Sequence, residues 1–313
     1  MRDLSILIPA RNEMFLGNTV EDILANIEAN TEIIVVLDGQ WPVEPLKQHP
    51  RLTVVYLPES IGQRAATNLA CKLSSAKYVA KCDAHCAFGK GFDRILLEDM
   101  QDDWTTAPAM HNLHAFNWRC AKCGNEWYQG PTPTQCLKAL NAKGNKTEPS
   151  GCDGKEFERK IYWEPNRKPI STAMRFDENL HFQYWQEYQK KQPSDLVETM
   201  SILGAFWLLT RGKYWELNIC DEGHGGWGQQ GTEIACKTWL SGGRLVCNKK
   251  TWFAHLFRTQ GGDFGFPYQI TGKDVQKARE YSKSLWMDNK WPKAKHNLNW
   301  LIDKFQPPGW IGG

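Results

Sequence analysis

The chain has 313 residues, of which 41% are hydrophobic and 23% charged, and this composition excludes a disordered or fibrous protein. Its net charge of +3 is too small to demand a nucleic-acid partner. Residues 117–170 nevertheless carry ten Lys and Arg against six Asp and Glu, and residues 273–304 carry eight against four. No stretch approaches the about 20 apolar residues of a membrane helix, and the N-terminus has no signal-peptide pattern. We therefore expect a cytoplasmic protein without a membrane partner.

The first 85 residues alternate between continuous apolar runs and segments with helical spacing. Continuous apolar runs that end in polar or turn residues are typical of strands buried on both faces. The predicted strands cover residues 4–10, 31–39, 51–58 and 76–85, and the predicted helices cover residues 18–30 and 62–75. Asn18 is the expected N-cap of the first helix. This order predicts an α/β fold with a largely parallel sheet.

The rest of the chain divides by its composition. Residues 111–170 are rich in Gly, Pro, Thr and Lys and interrupt the alternation, so we expect an inserted segment there. A strand-like pattern returns near residues 199–217, followed by a predicted helix at 233–243, one or two strands at 244–258 and a helix from 271. The predicted units are residues 1–110, 111–170, 171–270 and a helical, Trp-rich tail at 271–313.

Polar side chains follow the predicted strands at the edge where ligands bind in such sheets. Asn12, Glu13, Asp38, Asp83 and His85 all lie there. In a strand, Asp83 and His85 would point to the same side, and a carboxylate with an imidazole suits Mn²⁺ or a similar ion. His255 ends a later apolar run and is the candidate third ligand. The alternative is an ordinary strand end together with a core histidine.

The inserted segment contains a second candidate metal site. Cys120 and Cys123 form a C-x₂-C pair followed by Gly, which is typical of a zinc knuckle, and Cys136 and Cys152 complete four thiolates. His111 and His114 are alternative ligands, and unpaired surface thiols are the alternative to a metal site. We predict a structural zinc in a ribbon-like segment, since a segment with so few apolar residues needs another source of stability.

The motifs resemble those of a known family. The stretches "CDAHC", "GWGQQGTEIACKTWLSGGRLV", "AHLFR" and "SLWMDNKW" follow the order of the polypeptide GalNAc-transferases, and "ILIPARNE" and "IIVVLDG" resemble the start of family-2 glycosyltransferases. The resemblance covers residues 4–100 and 200–290. It implies a GT-A fold, which is Rossmann-like with a mostly parallel sheet flanked by helices, here with an inserted zinc-ribbon-like segment.

The resemblance also implies a role for each matched residue. Asp83, His85 and His255 would hold a divalent metal against the diphosphate of a UDP-sugar. Asp38 would accept a hydrogen bond from the uracil, and Arg64 and Arg258 would meet phosphate. The remaining nucleotide-sugar-binding residues would be Pro9, Ala10, Asn12, Glu13 and Ala84, and the catalytic, sugar-lining residues would be Trp227, Gln230 and Glu233.

This sequence departs from the family at two points. The family's Trp-Gly-Gly-Glu-Asn is "WGQQG" here, so Gln230 replaces a glutamate. Inverting relatives carry their base carboxylate at the next position, which is Gly231 here. This favours a retaining reaction, unless Glu233 or Glu222 serves as the base. The family's lectin domain and secretory anchor have no counterpart in the sequence, so we do not expect a secretory glycoprotein acceptor.

The sequence therefore predicts a metal-dependent glycosyltransferase, hexosyl or N-acetylhexosaminyl, that transfers from a UDP-sugar to an acceptor hydroxyl. The local positive charge permits an anionic acceptor. This acceptor would be DNA, in which a modified base is glycosylated as it is by phage enzymes, or another polyanion. The alternative is a zinc-ribbon nucleic-acid-binding protein on a degenerate, non-catalytic sugar-nucleotide fold. Residues 258–269 contain three glycines and three aromatic residues, and we expect them to form a lid over the donor.

Overall fold

The computed structural model describes residues 2–136, 151–258 and 261–310. The strands are β1 Leu4–Ala10, β2 Thr31–Asp38, β3 Leu52–Leu57, β4 Tyr78–Cys82, β5 Cys86–Phe88, β6 Trp104–Cys120, β7 Glu126–Tyr128, β8 Phe157–Pro165, β9 Met174–Phe176, β10 Phe182–Tyr184, β11 Leu196–Glu198, β12 Phe206–Thr210 and β13 Arg244–His255. The helices are α1 Leu16–Asn26, α2 Gln63–Leu73, α3 Phe92–Asp99, α4 Gln186–Lys190, α5 Arg211–Glu216, α6 Gln230–Leu240, α7 Gly272–Trp286 and α8 Leu298–Phe305. Two single-turn 3-10 helices cover Glu222–His224 and Gly262–Phe264.

One twisted sheet organises the molecule, with the strand order β11-β13-β6-β12-β4-β1-β2-β3. The half made of β4, β1, β2 and β3 is parallel, and Leu4 lies opposite both Thr31 and Tyr78. Alternate residues of β1 enter opposite cores: Leu7 packs with Ala66 of α2, whereas Ile6 packs with the group that contains Val20 of α1. The apolar runs of β1 and β2 are continuous because both faces of these strands are buried. Strand β3 at the edge of the sheet differs, since its Val54 and Tyr56 are exposed.

The second half of the sheet brings two distant strand ends together. Strand β12 is antiparallel to β4 and connects it to β6, and β13 runs parallel to β6 with a bulge between Asn248 and Trp252. The three-residue strand β5 pairs with the end of β13, so that Cys86 lies opposite His255. The segments that follow β4 and β13 therefore meet at one edge of the sheet.

The α/β prediction is confirmed, and the differences are local. Helix α1 begins at Leu16 rather than after Asn18, and its N-cap is Phe15, which makes no side-chain cap. Strand β4 ends at Cys82, so Asp83 and His85 lie in the turn that leads to β5. The alternation of a strand therefore does not explain why these two side chains converge.

The 17-residue strand β6 has no counterpart among the predicted elements. Its sequence contains Pro108 and interspersed polar residues, so it lacks both a continuous apolar run and regular alternation. The predicted boundary between residues 110 and 111 falls inside this strand. Its first part belongs to the central sheet, and its second part pairs with β7 and β8. Residues 137–150 of the predicted insertion lie outside the described residues.

Helix α7 begins with a capping box, in which Thr271 and Asp274 each bond the other's backbone N–H. The predicted tail helix is confirmed by α7, and α8 follows it. No helix in the described ranges has both the length and the apolar character that crossing a membrane requires.

Candidate functional site

A cavity of about 580 Å³ opens at the carboxyl ends of β1, β2, β4 and β13. Of the residues that the sequence assigns to nucleotide, metal or sugar, most line it. They are Pro9, Ala10, Glu13, Asp38, Asp83, Ala84, His85, Trp227, Gln230, His255 and Arg258. Asn12, Arg64 and Glu233 do not line this cavity. The sequence thus predicted which edge of the sheet holds the cavity, because parallel strands present their carboxyl ends together.

Asp83, His85 and His255 converge in this cavity. One ligand atom from each residue lies within 4.8 Å of the ligand atoms of the other two. Nε2 of His85 and Nε2 of His255 are 3.1 Å apart, and Nε2 of His255 is 3.2 Å from Oδ2 of Asp83. The backbone N–H of Leu256 donates to the carbonyl of His85 at 3.1 Å, which fixes the turn beside the end of β13. Two imidazole nitrogens and one carboxylate oxygen form a donor set that suits a divalent transition metal.

Glu13 and Arg258 support this triad from one side. The carboxylate of Glu13 only accepts hydrogen bonds when it is ionised, so Nδ1–H of His85 donates to it at 3.2 Å and Nε2 of His85 is left free to coordinate. Arg258 donates to the same Oε2 atom at 2.7 Å. Burial raises the pKa of Glu13, but His85 and Arg258 outweigh burial and hold that pKa below its ordinary value.

Lys81 also supports the triad, through Asp83. Its fully buried ammonium group donates to Asp83 and to the carbonyl of Gly204. Burial raises the pKa of Asp83, but Lys81 and the two histidines outweigh it, so this pKa lies well below its usual range. Burial lowers the pKa of His255 to about 4. At neutral pH the site thus presents an ionised carboxylate and a neutral imidazole, which are the protonation states that bind metal.

Sequence reasoning missed Lys81, although a signal was present. A lysine within the buried run "YVAKC" needs a counter-charge, and the nearest carboxylate in the sequence is Asp83. It also missed Arg279 and Val275 of α7, which line the cavity. The sequence around these two residues has the pattern of an exposed helix. Only the packing of α7 in the folded chain places them at the cavity.

Asp38 and Asn12 have partners within the protein. The carboxylate of Asp38 accepts hydrogen bonds from Ser60 Oγ at 2.8 Å and from the backbone N–H groups of Ile61 and Gly62 at 2.6 and 3.0 Å. Asn12 donates to the carbonyl of Pro267 at 3.1 Å. Both residues therefore fix loops that border the cavity, in addition to any role toward a nucleotide.

Arg64 and Glu233 form a buried ion pair instead of facing a ligand. Nε of Arg64 donates to Oε2 of Glu233 at 2.9 Å, and both side chains are at most 1% exposed. The other nitrogens of Arg64 donate to the carbonyls of Gly225 at 3.0 Å and Gly228 at 2.7 Å. Arg64 thereby clamps both sides of Trp227. This differs from the phosphate-binding role predicted for Arg64, because its guanidinium is buried and each of its three nitrogens already donates to a protein oxygen.

Glu233 is equally occupied. It accepts from Nζ of Lys237 at 2.7 Å and from the backbone N–H of Asp221 at 2.8 Å. Burial raises its pKa, but Lys237 and Arg64 outweigh burial and lower it to about 2. A fully buried carboxylate that stays ionised in this way organises the structure and does not reach the cavity. The predicted sugar-lining role of Glu233 therefore disagrees with its position.

The segment Gly226–Gly231 forms one wall of the cavity, and we call it the sugar loop after the role that the sequence predicts for Trp227 and Gln230. Trp227 packs edge-on against Phe266, with ring centroids 5.6 Å apart. A Cβ atom added to Gly231 would lie 2.0 Å from the carbonyl oxygen of Ile202, so no side chain fits at this position. Glycine is therefore required where inverting relatives carry a carboxylate.

The four cysteines of the second site also converge. The sulfur atoms of Cys120, Cys123, Cys136 and Cys152 lie within 4.8 Å of one another. Cys120 and Cys152 are 3.6 Å apart, and Cys123 and Cys136 are 3.5 Å apart. Burial raises the pKa of Cys120, but the backbone N–H groups of Cys123 and Lys122 and the neighbouring thiols lower it to about 7. The cluster, which we call the cysteine cluster, could hold a metal ion.

We expect Arg64→Met to destabilise the protein by about 3–5 kcal/mol, because it leaves the buried Glu233 carboxylate short of its partner. The double variant Arg64→Met/Glu233→Gln should not recover this stability, because it leaves the buried Lys237 ammonium without its nearest carboxylate partner. Arg94→Met, which removes two ion pairs of an exposed arginine with Glu28 and Glu98, is the control and should change little. Urea unfolding measures all four proteins. Equal stability of the Arg64 and Arg94 variants would contradict the clamp.

Comparisons with known proteins agree with this geometry. Residues 5–120 match the family model described as Glycosyl transferase family 2. Polypeptide N-acetylgalactosaminyltransferase 10 of Homo sapiens is 30% identical over 103 residues, which is 33% of this chain and 16% of that protein. Probable N-acetylgalactosaminyltransferase 9 of Caenorhabditis elegans is 28% identical over 120 residues, 35% of this chain and 20% of that protein. The matches thus span a fifth or less of these relatives.

Two solved structures share the fold across 97% of this chain. GalNAc-T7, solved with UDP, GalNAc and Mn²⁺, has a TM-score of 0.64 at 14% identity, and the match covers 56% of that chain. TarS of S. aureus has a TM-score of 0.51 at 10% identity, and the match covers 43% of that chain. The GT-A prediction is therefore confirmed: the chain has a GT-A fold in which residues 5–120 match the glycosyl transferase family 2 model, and it is similar to the polypeptide GalNAc-transferases.

Proposed function

We propose that this chain is a metal-dependent glycosyltransferase that moves a hexosyl or N-acetylhexosaminyl group from a UDP-sugar to an acceptor hydroxyl. The observation that carries the proposal is the convergence of Asp83, His85 and His255 in a cavity of about 580 Å³ at the carboxyl edge of the sheet. Two observations support this choice of donor and metal: the similarity to the GalNAc-transferases, and the fold shared with GalNAc-T7, which was solved with UDP, GalNAc and Mn²⁺.

Mn²⁺ fits the residues present, since two imidazole nitrogens and one carboxylate leave coordination positions open for phosphate oxygens. When bound, the ion would offset the negative charge that develops on the leaving diphosphate. The chain's own residues prepare that position. Lys81 keeps Asp83 ionised, Glu13 orients His85, and the Glu13 carboxylate holds Arg258 at the cavity wall.

The carboxylates of the cavity support a retaining reaction. Four of the described lining residues carry a carboxylate: Glu13, Asp38, Asp83 and Asp274. The first three are engaged as described above, and Asp274 accepts from the hydroxyl of Thr271 at 2.6 Å in the cap of α7. An inverting reaction needs a base that is free to take the proton of the acceptor. With Gly231 unable to carry a side chain, the described residues that line the cavity offer no such carboxylate, and Glu222 does not line it.

We also propose that the cysteine cluster binds a structural Zn²⁺. Sulfur ligands about 2.3 Å from zinc in a tetrahedron lie about 3.8 Å apart. The separations of 3.5 and 3.6 Å are close to that value and much longer than a disulfide bond. Four thiolates leave zinc no open position, so the ion would hold the chain together and take no part in transfer.

The acceptor that the charges favour is an anionic polymer, of which DNA is one example. Arg279 of α7 lines the cavity, and its buried Nε has no hydrogen-bond partner in the described part of the chain. Val275 lies one turn earlier on the same helix, and a Cβ atom added to Gly228 of the sugar loop would lie 4.0 Å from the Cα atom of Val275, which places this part of α7 beside that loop. Lys273, Lys277 and Lys283 add positive charge along α7. These cations would meet phosphate or carboxylate groups of an acceptor.

The donor proposal predicts that Mn²⁺ is required for tight binding of UDP. We expect Asp83→Ala to weaken this binding by about 100-fold or more, since even the loss of a partner outside the coordination shell costs 10–100-fold. His85→Gln should act in the same direction without leaving Lys81 unpaired, and Asp303→Ala on the exposed face of α8 is the control. Calorimetric titration of UDP with and without Mn²⁺ measures the effect.

Metal-independent binding, or equal affinity in all these variants, would contradict the donor site. Release of UDP from a panel of UDP-sugars then distinguishes an enzyme from a degenerate fold. Binding of DNA by a protein that neither binds UDP nor releases it would favour the alternative function, a nucleic-acid-binding module.

The acceptor proposal predicts that anionic polymers bind through Arg279. We expect Arg279→Gln to weaken binding of a single-stranded oligodeoxynucleotide or of polyphosphate several-fold, and to lower the salt slope by about one charge. The affinity for UDP with Mn²⁺ should not change. Lys290→Gln, an exposed residue outside the cavity, is the control. Fluorescence anisotropy at low salt measures binding, and failure of both probes to bind the wild-type protein would exclude an anionic polymer.

A further inference from the structure

Residues 261–270, which we call the wall loop, connect the donor cavity to a distant part of the chain. Phe266 through Ile270 line the cavity. Tyr268 lies beneath the guanidinium of Arg11, 5.6 Å from the ring centroid, and the carbonyl of Pro267 accepts from Asn12. Phe266 contacts Trp227 of the sugar loop. The wall loop therefore touches residues assigned to both the nucleotide and the sugar. The predicted lid also contains Thr259 and Gln260, which lie outside the described residues.

The start of the wall loop is attached to the segment between Cys123 and Cys136. The carboxylate of Asp263 accepts from the backbone N–H of Thr132 at 2.9 Å and also from its hydroxyl group. A Cβ atom added to Gly262 would lie 3.5 Å from the ring of Pro131, so the two segments are in close proximity. Phe264 is 5% exposed and packs edge-on against Phe116 of β6. Asp263 and Phe264 together anchor the wall loop.

The segment that receives Asp263 depends on the cysteine cluster for its shape. Pro131, Thr132 and Thr134 are exposed, so the segment has little apolar core of its own. Its ends are held by the carbonyl of Gly130, which accepts from Trp118 Nε1 at 3.0 Å, and by the cluster at Cys136. A segment closed by metal ligands loses its fixed geometry when the metal is absent. Thr132 would then no longer be held beside Asp263.

We infer that Asp263 is a positioning residue through which the metal-loaded cysteine cluster fixes the wall of the donor cavity. This inference rests on the proposed function. Nucleotide affinity would therefore depend on two ions, the one at Asp83, His85 and His255 and the one at the cysteine cluster, although the second contacts no substrate. The cluster thereby has a role beyond stabilising its own segment.

The test uses variants because a chelator would remove both ions. Cys123→Ser alters the exposed member of the cluster and should abolish its metal. Asp263→Ala should keep the metal but release the wall loop. Metal binding at the cluster is measured by the thiolate charge-transfer absorption of the Co²⁺-substituted protein. The mobility of the wall loop is measured by hydrogen exchange, and nucleotide affinity by titration of UDP with Mn²⁺. Asp303→Ala is the control.

We expect both variants to speed hydrogen exchange in residues 261–270 and to weaken UDP binding by about fivefold, the effect of losing one or two hydrogen bonds. Only Cys123→Ser should lose the Co²⁺ absorption. Unchanged exchange in Asp263→Ala would overturn the inference and leave the proposed function intact. If the wild-type protein binds no UDP, the proposed function fails, but the exchange measurement still decides whether the cluster holds the wall loop.

Discussion

The pairing of β5 with β13 is the constraint on which the site depends. This strand of three residues places Cys86 opposite His255, and the bond from Leu256 to the carbonyl of His85 continues the same ladder. Two histidines 170 residues apart in sequence thereby come within 3.1 Å of each other. The pairing holds because Ala87 and Phe88 of β5 are buried, so the turn that carries Asp83 and His85 cannot move away from β13 without exposing them.

This arrangement buries several charged side chains, and the fold gives each of them an oppositely charged partner. Lys81 compensates Asp83, Arg258 compensates Glu13, and Arg64 with Lys237 compensates Glu233. An uncompensated buried ion would be strongly destabilising, whereas paired and fully hydrogen-bonded ions are tolerated. The three groups serve different ends. The first two leave ligand atoms facing the cavity, while the third lies behind the sugar loop and holds its backbone from outside.

The difference between these groups explains how much of the site could be predicted from the sequence. Continuous apolar runs correctly predicted β1, β2 and β3, and their ends correctly predicted where the cavity opens. Arg64 and Glu233 could not be assigned, because an arginine on one helix and a glutamate on another look alike in sequence whether they face a phosphate or each other. Strand β6 was also beyond sequence reasoning, since its burial comes from β13 and β12 on one half and from β8 on the other. The convergence of Asp83 and His85 was predicted, but through a strand rather than the turn that produces it.

The two candidate metal sites differ in a way that agrees with their surroundings. The triad offers two nitrogens and one oxygen at the wall of a cavity, which leaves room for oxygen ligands from a substrate. The cysteine cluster offers four sulfurs and is complete by itself. The path between them is short: β13 ends at His255, Arg258 follows three residues later, and the wall loop then reaches Thr132 within the segment that the cluster closes. The inferred route from the closed site to the open one is therefore the wall loop, which contacts Thr132 at Asp263 and lines the cavity from Phe266 to Ile270.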